Sequence, residues 1–289
     1  MIAAALQDKR LNCINDFYIL TDRLDYAAID QVFPLFAEQQ FFLDELVHEK
    51  IRDANVLDIG LGSGVLSIGA ARAGAKQVTA LEVNPRAKNF AGFNILLNGV
   101  ESKITILDGN EQIWRPVRGR QFDYIISNPP FEPTPPGMDY FYHSSAGPYG
   151  LDFLDKICSA LDEHLADAGH AQIVTAAPGD KQEPSLLLDL LQQHLTGVTT
   201  VLVNPFVITF DDIMDRLAAK QLGTDEQVDG LRRRANQDGV THVYLCVIHY
   251  EKGPKQLQVQ PSRKVYEHYW DVPVKSFALQ LQQGESICD

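Results

Sequence analysis

From residue 54 to residue 250 the chain alternates short β-rich runs with helical runs, and this alternation narrows the fold more than any other feature. Strands are predicted over 54–59, 77–82, 103–107, 122–127, 170–177, 198–203 and 241–250. Helices are predicted over 63–73, 85–97, 151–166 and 181–195. Tyr124-Ile125-Ile126 and the run 171–176 are nearly all apolar, as in parallel strands covered on both faces. Right-handed crossovers between such strands give an α/β, doubly wound, mostly parallel seven-stranded sheet. Residues 1–53 are read as an N-terminal extension, with a strand-like piece over 16–20 and a helix from about 37 to 49. Residues 54–250 form the main domain, 204–239 a charged helical insert within it, and 251–289 a C-terminal extension.

The first strand runs into a glycine-rich turn, Asp58-Ile59-Gly60-Leu61-Gly62-Ser63-Gly64, which opens a helix. Glycines let a backbone turn tightly and approach a ligand closely. A pyrophosphate loop would space them G-x-G-x-x-G; here Gly60, Gly62 and Gly64 follow G-x-G-x-G. Asp58 beside the loop would repel a pyrophosphate and suits a ligand carrying an ammonium group. Glu82 ends the next strand, where a carboxylate can accept both ribose hydroxyls of a nucleoside.

A second motif ends the fourth strand: Ser127-Asn128-Pro129-Pro130-Phe131. The C-terminal ends of parallel strands face the ligand crevice. Two prolines fix φ and remove two N–H donors, leaving the Pro129 carbonyl with few competitors. Asn128 adds a side-chain carbonyl, so two acceptors converge on one small volume. That arrangement suits an –NH₂ group, and Phe131 can stack on a planar conjugated partner.

The two motifs, in this order, resemble the class I S-adenosylmethionine-dependent methyltransferases. They are most similar to the small-domain branch with an Asn/Asp-Pro-Pro-aromatic motif, which includes release-factor glutamine and ribosomal RNA guanine N-methyltransferases. Val32-Phe33-Pro34 and the Ala146–Asp152 run are similar to flanking segments of that branch, and the resemblance covers about residues 31–203. It implies S-adenosylmethionine as cofactor, held by Gly60, Gly62 and Gly64. Asp58 would lie near its amino group, Glu82 on the ribose, Asp108 beside the adenine amine, and Asn128 also against it. It implies N-methylation of an amide or amine, with Asn128 and Pro129 orienting the nitrogen and Phe131 stacking. In this fold the connection after the sixth strand lies on the crevice side, so the insert 204–239 should overhang the site as a lid. Pro130, Tyr142 and His143 are candidate acceptor contacts. Arg232-Arg233-Arg234 on the insert either grips an acidic substrate or is a solvated helix face.

Charge bears on the acceptor. There are 38 acidic and 25 basic residues, a net charge of −13, and the charges of 251–289 balance, so residues 1–250 carry the whole excess. A polyphosphate would be repelled unless a local basic patch outweighed that field. A protein or small-molecule acceptor is therefore expected, with free nucleic acid disfavoured; a ribosomal RNA acceptor presented on a particle stays open. A non-catalytic cofactor-binding scaffold is the third reading, although a scaffold needs no converging acceptors. The eight histidines lack metal-ligand spacing, and no metal is expected. Cys13, Cys158, Cys246 and Cys288 are scattered without C-x-x-C spacing, which suits reduced thiols in the cytoplasm. Apolar runs fall short of a membrane span, and Met1 to Leu6 is short for a signal-peptide core.

Overall fold

The computed structural model describes residues 9–268 together with 270, 274, 276 and 277. Met1 to Leu6, Cys288 and the end of the C-terminal extension, 278–289, lie outside the described residues. The alternating segment forms the expected doubly wound sheet. Its strands are β3 (Asn55–Ile59), β4 (Gln77–Glu82), β5 (Ile104–Asp108), β6 (Phe122–Ser127), β7 (Leu165–Gly179), β8 (Val198–Thr209) and β9 (His242–Glu251). All neighbours pair in parallel except β9, which runs antiparallel between β7 and β8.

An eighth strand, β10 (Gln256–Pro261), pairs in parallel with β8 and gives the order β10-β8-β9-β7-β6-β3-β4-β5. The expected boundary at residue 250 therefore does not hold for the sheet. The Gln256-Leu257-Gln258-Val259-Gln260 run hides this strand in the sequence, because an edge strand that stays largely exposed has no apolar run. Two further sequence expectations shift. The helix expected over 151–166 is two, α5 (Asp152–Cys158) and α6 (Leu161–His164), because Ala160 leaves helical geometry (φ −135) and β7 begins at Leu165; α7 (Ser185–His194) is the next helix in the chain. The sixth strand continues past 203 to Thr209 through an irregularity between Val203 and Val207, so the first residues of the insert are strand.

The sheet is buried on both faces. Val56, Tyr124 and Ile126 belong to one apolar cluster, while Leu57 and Ile125 belong to the other. Successive residues of one strand thus feed opposite cores, which is why these strands read as continuous apolar runs. On the first face lies α3 (Val65–Arg72), seven of whose eight residues are buried. Beside it lies α4 (Pro85–Leu97), which has proline in its first turn and Asn84 as N-cap, accepting from the Arg86 amide at 2.9 Å. The insert folds as α8 (Phe210–Ala219) and α9 (Asp225–Gln237), each opened by a capping box, Thr209 with Asp212 and Thr224 with Gln227. Among the described residues no helix is long and apolar enough to cross a membrane.

The N-terminal extension is a hairpin, β1 (Lys9–Ile14) and β2 (Phe17–Asp22), then α1 (Ala37–Asp44) and α2 (His48–Ile51). β11 (Ser276–Phe277) adds to β1, so the N-terminal and C-terminal extensions contribute to one small sheet. Asn94 of α4 locks this sheet to the main domain. Fully buried, it accepts from the Leu20 amide at 2.7 Å and donates to the Leu20 carbonyl at 2.9 Å and the Ser63 carbonyl at 2.8 Å. Asn94→Ala strands these three backbone groups, each costing about 1–3 kcal/mol when buried unpaired. Thermal unfolding should show a fall in Tm on the order of 5–10 °C; a change below about 1 °C would mean that water replaces the side chain.

Candidate active site

A cavity of about 460 Å³ opens where the strand order reverses, at the C-terminal ends of β3, β4 and β6. The three loop glycines that line or flank it have φ of 85, 54 and 87 at Gly60, Gly62 and Gly64, conformations that disfavour any side chain. A Cβ at Gly64 would also stand 3.3 Å from the Ala91 Cβ of α4. Glu82 lines the cavity and is only 8% exposed. Its carboxylate accepts from the Gly62 amide at 2.7 Å and the Asn84 amide at 2.8 Å, one on each oxygen. Each oxygen keeps lone-pair capacity toward the cavity, and burial raises its pKa.

The other two predicted acids lie differently. Asp58 is fully buried beneath the loop and does not line the cavity. Its Oδ2 accepts from the Ser67 hydroxyl at 2.6 Å, while its Oδ1 has no partner among the described residues. Burial raises its carboxyl to about 7. Asp108 is exposed, pairs with Lys88 and is not part of the cavity lining. The lining at that end comes instead from its neighbours Gly109 and Asn110, with Val83 and Ile113.

The proline motif lies across the cavity from the loop. Ser127 donates to the Ile59 carbonyl at 2.6 Å, tying the ends of β3 and β6 together. Asn128, Pro129, Pro130 and Phe131 all line the cavity. Among the described residues no donor bonds the Asn128 side-chain oxygen or the Pro129 carbonyl, so both acceptors are open. The following loop folds back onto the motif at Gly150 (φ 72), where a Cβ would stand 2.1 Å from the Phe131 carbonyl oxygen. Tyr142 and His143 line the cavity as expected. His143 bonds Gln31 at 3.2 Å and Ser144 at 2.8 Å, and desolvation lowers its pKa to about 3, so it is neutral at physiological pH.

Three segments outside the predicted motifs complete the walls. From α1 comes Glu38, 3% exposed, whose pKa burial raises to about 7. From the C-terminal extension comes Trp270, stacked on Phe131 with centroids 5.9 Å apart, its indole N–H donating to Glu38. The insert supplies Ile213, Arg216 and Lys220. Lys220 bonds Glu132 at 2.9 and 3.1 Å and also meets Tyr140. Arg232 binds Asp211 at 2.9 Å and Asp215 at 2.7 Å, while Arg233 and Arg234 pair at 3.9 and 3.7 Å with Glu226 and Asp238. The arginine run is therefore a solvated face outside the cavity lining.

Comparison with known proteins agrees with this geometry. Residues 40–129 match the family model of ribosomal protein L11 methyltransferase (PrmA). The chain is 31% identical over 137 residues to a "Putative protein N5-glutamine methyltransferase" of Methanocaldococcus jannaschii, a match covering 46% of this chain and 67% of that one. It is 31% identical over 123 residues to a tRNA1(Val) (adenine(37)-N6)-methyltransferase of Shewanella loihica, covering 41% of this chain and 51% of that one. Among solved structures, an S-adenosylmethionine-dependent methyltransferase from Agrobacterium tumefaciens superposes with a TM-score of 0.55 at 19% identity, covering 85% of this chain and 71% of that one, which bears on the fold alone. The chain belongs to the S-adenosylmethionine-dependent methyltransferases. It spans about two thirds of the first relative and half of the second.

The residues present fit that cofactor. Glu82, held by two backbone amides, would accept from vicinal ribose hydroxyls, and the apolar Val83 and Ile113 with Asn110 would flank a flat base. The acids beside and beneath the loop suit an ammonium and disfavour a phosphate. Glu82→Ala should weaken S-adenosylmethionine binding by about 1–3 kcal/mol in calorimetry through loss of charge-assisted bonds. An affinity unchanged within twofold would remove Glu82 from the cofactor site.

Proposed function

We propose that the chain methylates a planar amide nitrogen of a protein or small molecule, with a glutamine side-chain amide as the favoured acceptor. The observation that carries this reading is the pair of open oxygens, Asn128 Oδ1 and the Pro129 carbonyl, at the aromatic end of the cavity. An amide –NH₂ presents two N–H groups in one plane and matches two acceptors. Its lone pair is delocalised into the carbonyl. Drawing on both N–H bonds returns electron density to nitrogen and favours a tetrahedral geometry. When bound, S-adenosylmethionine supplies an electrophilic methyl on a positively charged sulfur.

Asn128 and Pro129 hold the nitrogen for in-line attack on that methyl carbon. The bound cofactor would supply the methyl for a new N–C bond as its C–S bond breaks, and the nitrogen, held by the two acceptors, would shed its proton to water. Phe131 and Trp270 give the flat walls that a conjugated group requires, and the insert helix adds Ile213, Arg216 and Lys220 to the lining. The neutral His143 contributes shape and hydrogen bonding without a charge.

The name of the Methanocaldococcus relative supports glutamine as acceptor, and that of the Shewanella relative points to adenine. The net charge of −13 and the arginine run spent on internal ion pairs support the first. We place the reaction in the cytoplasm, in keeping with the buried free thiols Cys158 and Cys246. The test is labelled-methyl transfer in lysate of a deletion strain, fractionated into protein, RNA and small molecules. Label should enter protein or small molecules and, for a glutamine amide, be released as methylamine on acid hydrolysis; label confined to RNA would overturn the reading. Asn128→Ala should lower the rate about 10²–10³-fold while cofactor affinity stays within a few fold.

A further inference from the structure

We propose that Glu38 is a positioning residue that fixes the Asn128 amide with its NH₂ turned away from the acceptor and its oxygen turned toward it. The proposal rests on the N-methyltransferase reading, which uses this orientation of Asn128 without saying what enforces it. An asparagine amide has two nearly isosteric orientations, and only one presents an acceptor to the incoming nitrogen. Asn128 Nδ2 faces Glu38 Oε1 at 3.5 Å. The opposite orientation would set the amide oxygen against a carboxylate oxygen, a repulsive contact in a buried site. The choice is therefore made by charge as well as by distance.

Glu38 is suited to this role by what surrounds it. It stands in the first turn of α1 with three side-chain donors on it: Gln39 Nε2 and Asn128 Nδ2 on Oε1, and the Trp270 indole N–H on Oε2. A carboxylate that receives only donors is an acceptor at both oxygens. The same group thus ties the orienting residue, Asn128, to the wall, since Trp270 stacks on Phe131. The three partners come from α1, the loop after β6 and the C-terminal extension, which explains how segments outside the glycine loop and the proline motif bear on its chemistry.

Protonation would convert one oxygen of Glu38 into a donor and displace at least one partner. Burial brings that event to about 7. The charged groups nearest to this end of the cavity are Glu132, which raises Glu38 further, and Lys220, which is bonded to Glu132; Arg216 also lines the cavity. His143 is neutral throughout this range. Asp58 titrates near 7 as well, and only a Glu38 variant separates the two.

The test reads the two donors directly by NMR on the full chain, without cofactor or acceptor. Asparagine and tryptophan are labelled with ¹⁵N in a Trp114→Phe background, which leaves one indole. Between pH 5.5 and 8.5 the Asn128 side-chain amide and the Trp270 indole resonances should shift together with one midpoint near 7. In Glu38→Gln both titrations should vanish, while the Asn128 amide stays slowly exchanging because a carbonyl still faces it. An Asn128 amide that does not titrate in the native chain, or titrates equally in Glu38→Gln, overturns the proposal. In the labelled-methyl assay at saturating S-adenosylmethionine, the native rate should fall about tenfold per pH unit below the midpoint. Glu38→Gln should lack that acidic limb, and Glu38→Ala should lose more than tenfold at pH 8 with cofactor affinity within twofold. A Glu38→Ala rate equal to the native one also overturns the proposal. Failure to find any nitrogen acceptor counts against the functional reading alone, because the resonances still decide the placement of Asn128.

Discussion

The site depends on one contact between two strand ends. Ser127 at the end of β6 donates to the Ile59 carbonyl at the end of β3 at 2.6 Å, in a register that pairs these two residues. One residue further on, the chains diverge into Gly60 and Asn128. A Cβ at Gly60 would meet the Asn128 carbonyl oxygen at 3.9 Å, so the glycine turn and the proline motif begin almost in contact. Cofactor loop and acceptor motif are thus set side by side by backbone pairing, which transmits little play. Methyl transfer demands this, because misplacement by about 1 Å costs orders of magnitude in rate.

Around that fixed pair the remaining walls are built from segments distant in sequence. α1 brings Glu38, the insert brings Ile213, Arg216 and Lys220, and the C-terminal extension brings Trp270. Each is anchored by polar bonds as well as packing. Lys220 holds Glu132, Asn204 donates to the Tyr266 carbonyl at 2.8 Å, and Tyr266 bonds Asp44 of α1 at 2.7 Å. The family match, residues 40–129, takes in the glycine loop, Glu82 and the first two residues of the proline motif, while Glu38, the insert and Trp270 lie outside it.

The sequence made the sheet legible because its strands are buried on both faces and its glycines and prolines sit at strand ends, where backbone geometry demands them. Glu82 and the Asn128–Phe131 motif were legible for the same reason. Which residue of the Asp108-Gly109-Asn110 turn lines the cavity was not legible, because an acid-glycine turn does not say which of its residues turns inward; Gly109 and Asn110 line it, and Asp108 pairs with Lys88. Glu38 and Trp270 carried no signal, since burial of a lone acid and docking of a tail depend on contacts across more than 200 residues. β10 was hidden by its alternating glutamines, and the arginine run resolved only once Asp211 and Asp215 were seen one helix away.

The central claim is that a nitrogen held by Asn128 and Pro129 meets a methyl group delivered from the glycine loop. A crystal structure with S-adenosylhomocysteine tests it most directly. The account predicts the ribose hydroxyls on Glu82, the base beside Asn110 and Ile113, and the sulfur facing the Asn128 side-chain oxygen and the Pro129 carbonyl. A nucleoside seated elsewhere, or a sulfur turned away from those two oxygens, would contradict it.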